Sequence, residues 1–260
     1  MRIGLIYALI VVFANSLGAI SGMGGGVIIR PLLEVIGQHD VAHISFYSTV
    51  AVFTMATVSI TRRLLGGATV NKSFALIISL GSVLGGVFGS YVFNTLLHVV
   101  ENHDLINLIQ IGMTVGVLIL SLFYTVLKMR SFHLENKLVL FVLGLVLGSI
   151  ASFLGIGGGP INVAAFMLFM AMPIKEATMY SIITIFFSQL MNLIVTGMSS
   201  AGHHIYDVKI LVFIIPAAVV GGLLGSKLSQ VFPEKTVTWL FQVVIIGVIL
   251  LNVVNGVKLL

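Results

Sequence analysis

Long apolar runs account for most of this chain, and nearly every polar mark falls between them. Only 8% of the 260 residues are charged, against 58% hydrophobic. A soluble domain is about a quarter charged, so this chain lacks the polar side chains to cover a water-facing surface. Its solvent is therefore expected to be lipid. The runs are continuous rather than alternating, which favours helices over the strands of a membrane barrel. The reading is an all-α polytopic membrane protein.

The runs form a series. Segment one covers about Ile3–Ile36 and is interrupted at Ser21–Gly26. Three further segments follow at Val41–Ile60, Phe74–Leu97 and Leu105–Leu127. Segment five, Leu138–Met172, is interrupted at Gly155–Pro160, and three more follow at Ala177–Met198, Ile210–Val231 and Val237–Val254. The first run resembles a signal peptide, with Arg2 before Ile3–Phe13 and small residues at Gly18, Ala19 and Ser21. A segment of the same kind recurs at Leu138–Phe153, in mid-chain, so the first is expected to be retained as a helix.

The series repeats. SGMGGGVIIRP from Ser21 aligns with LGIGGGPINVA from Leu154, a shift of 133, and VLGGVFGS from Val83 aligns with VVGGLLGS from Val219, a shift of 136. The second shift places Ser45 on Ser181. Two membrane repeats are expected, 1–133 and 134–260, each with a glycine-broken helix and three further hydrophobic segments. Segments one and five are each about 34 residues long. As unbroken helices they would run ~50 Å through a ~30 Å hydrocarbon core, so each must break or fold back. If the broken segments span, there are eight spans in two parallel repeats. If they are re-entrant, each half has three spans and the repeats are inverted. Loops with Arg62, Arg63 and Lys72, and with Lys128, Arg130 and Lys137, belong on the cytoplasmic side. Counting Lys and Arg gives nine on that side for either arrangement, so charge does not choose between them.

The two Gly-x-Gly-Gly-Gly breaks are the candidate site. Glycine allows unwound backbone and close approach of a ligand. A helix restarting inside the bilayer, near Val27 and at Pro160, points its positive end into the break and favours an anion. The structural alternative is a tight crossing or a kink. Recurrence at matched positions favours a site, because broken helices at repeat positions mark the binding sites of many transporters. The candidate binding residues are Gly24, Gly25, Gly26, Gly157, Gly158 and Gly159, with Ser45, Ser181 and Arg30. Ser45, Ser48, Thr49 and Thr54 in the second segment, and Ser181, Thr184, Ser188, Gln189 and Asn192 in the sixth, could bind a polar solute. For most of them, ordinary bonding between helices is the better account. Arg30 could attract an anion, pair with Glu34 four residues on, or snorkel. Gly85, Gly89, Gly221 and Gly225 are spaced for close helix packing.

Other classes have little support. His39 and His43 flank Asp40, and His203 and His204 lie near Asp207, but a metal site needs three or four converging ligands. No nucleophile elbow, phosphate-binding lysine loop or paired intramembrane carboxylates occur, so no enzyme and no cofactor are expected. The net charge of +5 fits cytoplasmic loops facing anionic lipid, not nucleic acid.

The motifs Gly22–Met23–Gly24–Gly25–Gly26 with Pro31, and Gly155–Ile156–Gly157–Gly158–Gly159–Pro160, together with Gly85–Gly86 and Gly221–Gly222, resemble those of the TauE/SafE family of sulfite exporters. The resemblance covers essentially the whole chain. It implies a secondary transporter of the cell inner membrane, moving sulfite, sulfonate or a related small anion by alternating access, coupled to a proton or sodium ion. The family's usual Thr-Ser pair reads His43–Ile44–Ser45 here, and Met179–Tyr180–Ser181 in the second half. The competing readings are a non-transporting membrane assembly factor and a cation or metal transporter.

Overall fold

A computed structural model describes residues 2–100, 103–127, 131–134, 136–198 and 206–259. Among these residues there are ten helices and no strand: α1 Arg2–Ser21, α2 Gly26–Ile36, α3 Val41–Leu65, α4 Lys72–Val99, α5 His103–Leu127, α6 Lys137–Leu154, α7 Gly159–Met170, α8 Ile174–Met198, α9 Val208–Val231 and α10 Glu234–Leu259. Eight are long and apolar enough to cross a membrane; α2 and α7 are not. Lys128, Arg130, His203 and His204 lie outside the described residues.

Hydrogen bonds at the helix ends show how the two broken segments run. Tyr7, near the start of α1, shares a 2.8 Å hydrogen bond with Nδ1 of His39, which follows α2. The chain ahead of α6 is bonded to the end of α7, through Phe132 N–H to Leu168 C=O and Leu134 N–H to Phe169 C=O. Each broken segment is therefore a helical hairpin that returns to the face it left. Side-chain pairs fix the remaining directions. Asn192 of α8 bonds Thr49 of α3, and the ends of the same two helices meet where Arg63 bonds Thr178, so they are antiparallel. The result is six through-spans and two hairpins. We call the face holding the start of α1 face A and the opposite one face B. The α1–α5 half of the chain begins at face A and the α6–α10 half at face B, so each helix runs opposite to its counterpart in the other half.

The first hairpin's long arm packs on α9, and α4 packs on α6. Both seams are built on glycine. A methyl on Gly85 would lie 2.0 Å from the carbonyl oxygen of Leu145, and one on Gly148 would lie 2.4 Å from that of Ser82. On the other seam, Gly225 sits so close that its methyl would be 2.3 Å from the Ser16 carbonyl oxygen. Lipid tails are as apolar as Leu, so association here depends on such close backbone approach rather than on the hydrophobic effect. Gly85, Gly89, Gly221 and Gly225 all sit in these seams, as their spacing predicts. The outward faces stay apolar, as with Leu9, Leu120 and Trp239.

Helix starts at the membrane surface are capped by short polar side chains. Asp40, Asn71, Asn136 and Asp207 accept from the first-turn N–H groups of α3, α4, α6 and α9. Such caps satisfy amides that the helix itself leaves unpaired. The two buried starts, at α2 and α7, have glycine in that place and no side-chain cap.

Candidate functional site: two facing helix breaks

The breaks meet. A methyl on Gly24 would lie 3.3 Å from Ile185 Cδ1 and 3.5 Å from Val52 Cγ1; one on Gly157 would lie 3.1 Å from the same Val52 carbon. Val52 and Ile185 are at the middle of the 25-residue helices α3 and α8, so the breaks meet at mid-depth. Contact between them is backbone to backbone. The added methyl on Gly26 would be 2.5 Å from the Ile156 carbonyl oxygen, and that on Gly159 would be 1.8 Å from the Met23 carbonyl oxygen. All the residues from Ser21 to Arg30 and from Leu154 to Pro160 are buried. Ala19, Val52, Met55, Ala56, Ile182 and Ile185 form one apolar cluster over the crossing.

Left-handed backbone makes the reversals. Gly22 and Gly24 have φ of 73° and 71°; Gly155, Gly157 and Gly158 have 62°, 81° and 63°. Side chains with a Cβ rarely adopt this region, which accounts for the glycine runs. Gly25 and Gly158 then open α2 and α7.

The two matched serines cross between the halves of the chain. Ser181 of α8 donates to the Gly22 carbonyl at 2.6 Å. Ser45 of α3 lies beside Gly155, its Oγ 2.5 Å from where a Cβ would be. Each serine thus sits against the break of the other half. Ser48, one turn on from Ser45, is fully buried, and its Oγ is 3.0 Å from the Cβ position of Gly26, without a hydrogen-bond partner among the described residues. Gln189 follows Ile185 by one turn on the same side of α8, is fully buried, and has both amide atoms unpartnered among the described residues. Unpartnered buried polar atoms are uncommon and call for an explanation.

Arg30 is committed elsewhere. Its Nε donates to Glu34 at 2.9 Å, and both side chains are nearly buried. Its other nitrogens donate to the Leu154 carbonyl at the end of α6 and to Gln110 and Asn107 of α5. Gln110 donates in turn to the Phe153 carbonyl at 2.6 Å. The arginine closes the negative end of a broken helix, where a cation is favoured. Sequence reasoning did not single out Asn107 and Gln110, nor Asn15, whose Oδ1 is buried against Gly25 without a partner, nor Asn162 of α7, whose amide is wholly unpartnered. Their signal was available: a lone amide inside an apolar run is costly unless it has a task.

At the mouth on face A, His39 and His43 lie among Tyr7, Tyr47 and Tyr206. Burial, reinforced by neighbouring His43, holds the His39 pKa below its usual value. The groups raise a titratable patch at the base of the first hairpin, remote from the crossing.

No solved structure matches the chain. Among curated proteins, it is 23% identical over 263 residues to "Probable membrane transporter protein YunE" of Bacillus subtilis (strain 168), covering 90% of this chain and 91% of that one. Residues 7–251 match the family described as "Sulfite exporter TauE/SafE", and the chain belongs to this family of membrane transporters.

Proposed function

We propose that the protein is a secondary transporter of a small anion, binding it between the facing breaks and releasing it to either side by alternating access. The observation that carries this is the pair of buried, uncapped helix starts at mid-depth, with the unpartnered Ser48 hydroxyl against one of them. Helix N-termini with free amides attract anions, and inside a membrane such amides are costly without a partner. Backbone at Gly24–Gly26 and Gly157–Gly159 would supply the donors. Ser45 and Ser181 would hold the breaks in shape, and Arg30 would act by fixing the end of α6. The family supports sulfite, sulfonate or a related organosulfur anion as cargo, driven by a proton or sodium gradient. In this reading 1–133 and 134–260 are inverted repeats, which agrees with each helix of α1–α5 running opposite to its counterpart in α6–α10. Closure over Val52 and Ile185 corresponds to an occluded state.

Among the described residues, seven Lys and Arg lie toward face B (Arg62, Arg63, Lys72, Lys137, Lys175, Lys227 and Lys235) and four toward face A (Arg2, Arg30, Lys209 and Lys258). The positive-inside rule then makes face B cytoplasmic in the inner membrane.

Replacing the break glycines tests packing and binding together, since a Cβ on Gly25 would strike Asn15 and one on Gly158 would strike Ala151. Ser48→Ala is the cleaner test. In proteoliposomes carrying an imposed pH or sodium gradient, uptake of sulfite or a sulfonate should fall about tenfold, the worth of one hydrogen bond to a charged group. Unchanged flux in that variant, or no anion flux in the wild type, would remove the reading.

A further inference from the structure

Arg63 reads in the sequence as an interfacial charge at the end of a span. In the structure it is 5% exposed. Its three hydrogen bonds all go to neutral oxygens: Thr178 Oγ1 at 3.1 Å, the Ala19 carbonyl at 2.6 Å and Ser229 Oγ at 3.0 Å. Its Nε–H is buried without an acceptor among the described residues. No carboxylate lies within ion-pair distance among the described residues. A buried guanidinium in this state bears a desolvation cost that a neutral set of acceptors offsets only in part.

Arg30 provides an internal comparison. Both arginines cap the last carbonyls of a broken helix, Arg30 at Leu154 and Arg63 at Ala19. The partial negative charge of a helix end, about half a unit, is therefore available to each. Arg30 nonetheless has a full carboxylate in Glu34 as well. Arg63 has none, and it lines a pocket of about 400 Å³ with Lys175, Glu176, Tyr180, Ser229 and Gln230. The volume is ample for a small oxyanion with several waters. The Tyr180 hydroxyl already accepts from the Asn71 N–H at 2.9 Å, which leaves its own hydrogen for another acceptor. Lys175 is held to the Gln230 carbonyl at 3.3 Å.

We infer that this pocket is a second anion-binding station, in which a small oxyanion supplies the counter-charge that Arg63 lacks. Its place in the fold gives it a use. Thr178 packs against Gly22, and Ser181, one turn farther along α8, bonds the Gly22 carbonyl. The pocket thus lies between face B and the first break, on the more cationic side of the protein. An anion held there waits one step from the crossing. Its role in transport rests on the anion-transport reading above; its occupancy does not.

The test uses the whole protein, with sulfate and sulfite as probes. Equilibrium binding to detergent-solubilised protein should weaken about tenfold or more in Arg63→Gln, with Arg63→Lys retaining part of the affinity because the charge survives without its fork of donors. Lys175→Gln should weaken binding several-fold and Glu176→Gln should strengthen it several-fold. These two variants change exposed pocket charges, so they carry the test if Arg63→Gln does not fold. In proteoliposomes the same changes should shift KM for anion presented at face B and leave KM at face A unaltered. Wild-type affinity in a folded Arg63→Gln protein, or no response to Lys175→Gln and Glu176→Gln, would overturn the proposal. So would equal KM shifts from both faces. Loss of the Ser48→Ala effect with these responses intact would sink the central site alone.

Discussion

A side chain that crosses between sequence-distant segments reveals more here than any single motif. Arg30 reads in the sequence as a charge near a glycine run, with three roles open to it. The structure selects the pair with Glu34, because four residues along α2 put the two on one face, and adds a task at the end of α6. That task could not be read in the sequence, since Leu154 is 124 positions away. Asn255 also donates to Glu34 at 3.2 Å, tying α10 to the same group. Removing the acid should strand a buried cation: Glu34→Gln is expected to cost about 3–5 kcal/mol of stability. Thermal unfolding in detergent should show this as a marked drop in midpoint, partly restored when Arg30 is neutralised as well.

Glycine has two distinct uses at the scale of helices. In the breaks it permits left-handed backbone, and that use was legible because the runs recur at one offset. In the seams it permits helices to touch at the backbone, and the four-residue spacing in α4 and α9 announced this. What spacing could not give was the partner, since it says that a face is small but not which helix fills it. The boundaries of the segments were also legible, apart from one consequence. Arg62 and Arg63 marked an expected end near Ile60, but α3 continues to Leu65, which carries Arg63 into the interior. Side chains able to stretch from a buried helix end to a polar pocket do not register in a hydropathy count. Gly85→Ala should place a methyl against the Leu145 carbonyl and cost about 1–3 kcal/mol. Gly112→Ala, whose new methyl meets nothing within 4 Å, should be neutral or gain up to about 1 kcal/mol. Comparing the two variants by unfolding in detergent separates seam glycines from incidental ones.

The molecule as a whole is defined by which faces its ends occupy. Face A holds the start of α1 and the end of α10, because Asn255 reaches α2 through the Pro31 carbonyl. Composition pointed to a membrane protein, the unbroken apolar runs made it helical, and the two glycine runs marked where the chain must break. Whether the broken segments span or return was not legible, because either path leaves nine basic residues on one side. Only contacts such as Tyr7 with His39 distinguish them. The chain contains no cysteine, so single introduced cysteines report cleanly. Cysteines at Arg2 and Lys258 should label with a membrane-impermeant thiol reagent from one side, and those at Lys72 and Lys235 only from the other. Labelling of Arg2→Cys and Lys72→Cys from the same side would contradict the hairpins.

The pairing of α1 with α9 and of α4 with α6 also sets a timetable for biogenesis. Helices made first by the ribosome have their snug neighbours among those made later, so the early part of the chain enters the bilayer with its grooves unfilled. Lipid must occupy those grooves until translation delivers the missing helices, and the crossing can close only after α8 has brought Ile185 to it. A nascent chain stalled before that point would hold inserted helices but no completed pathway.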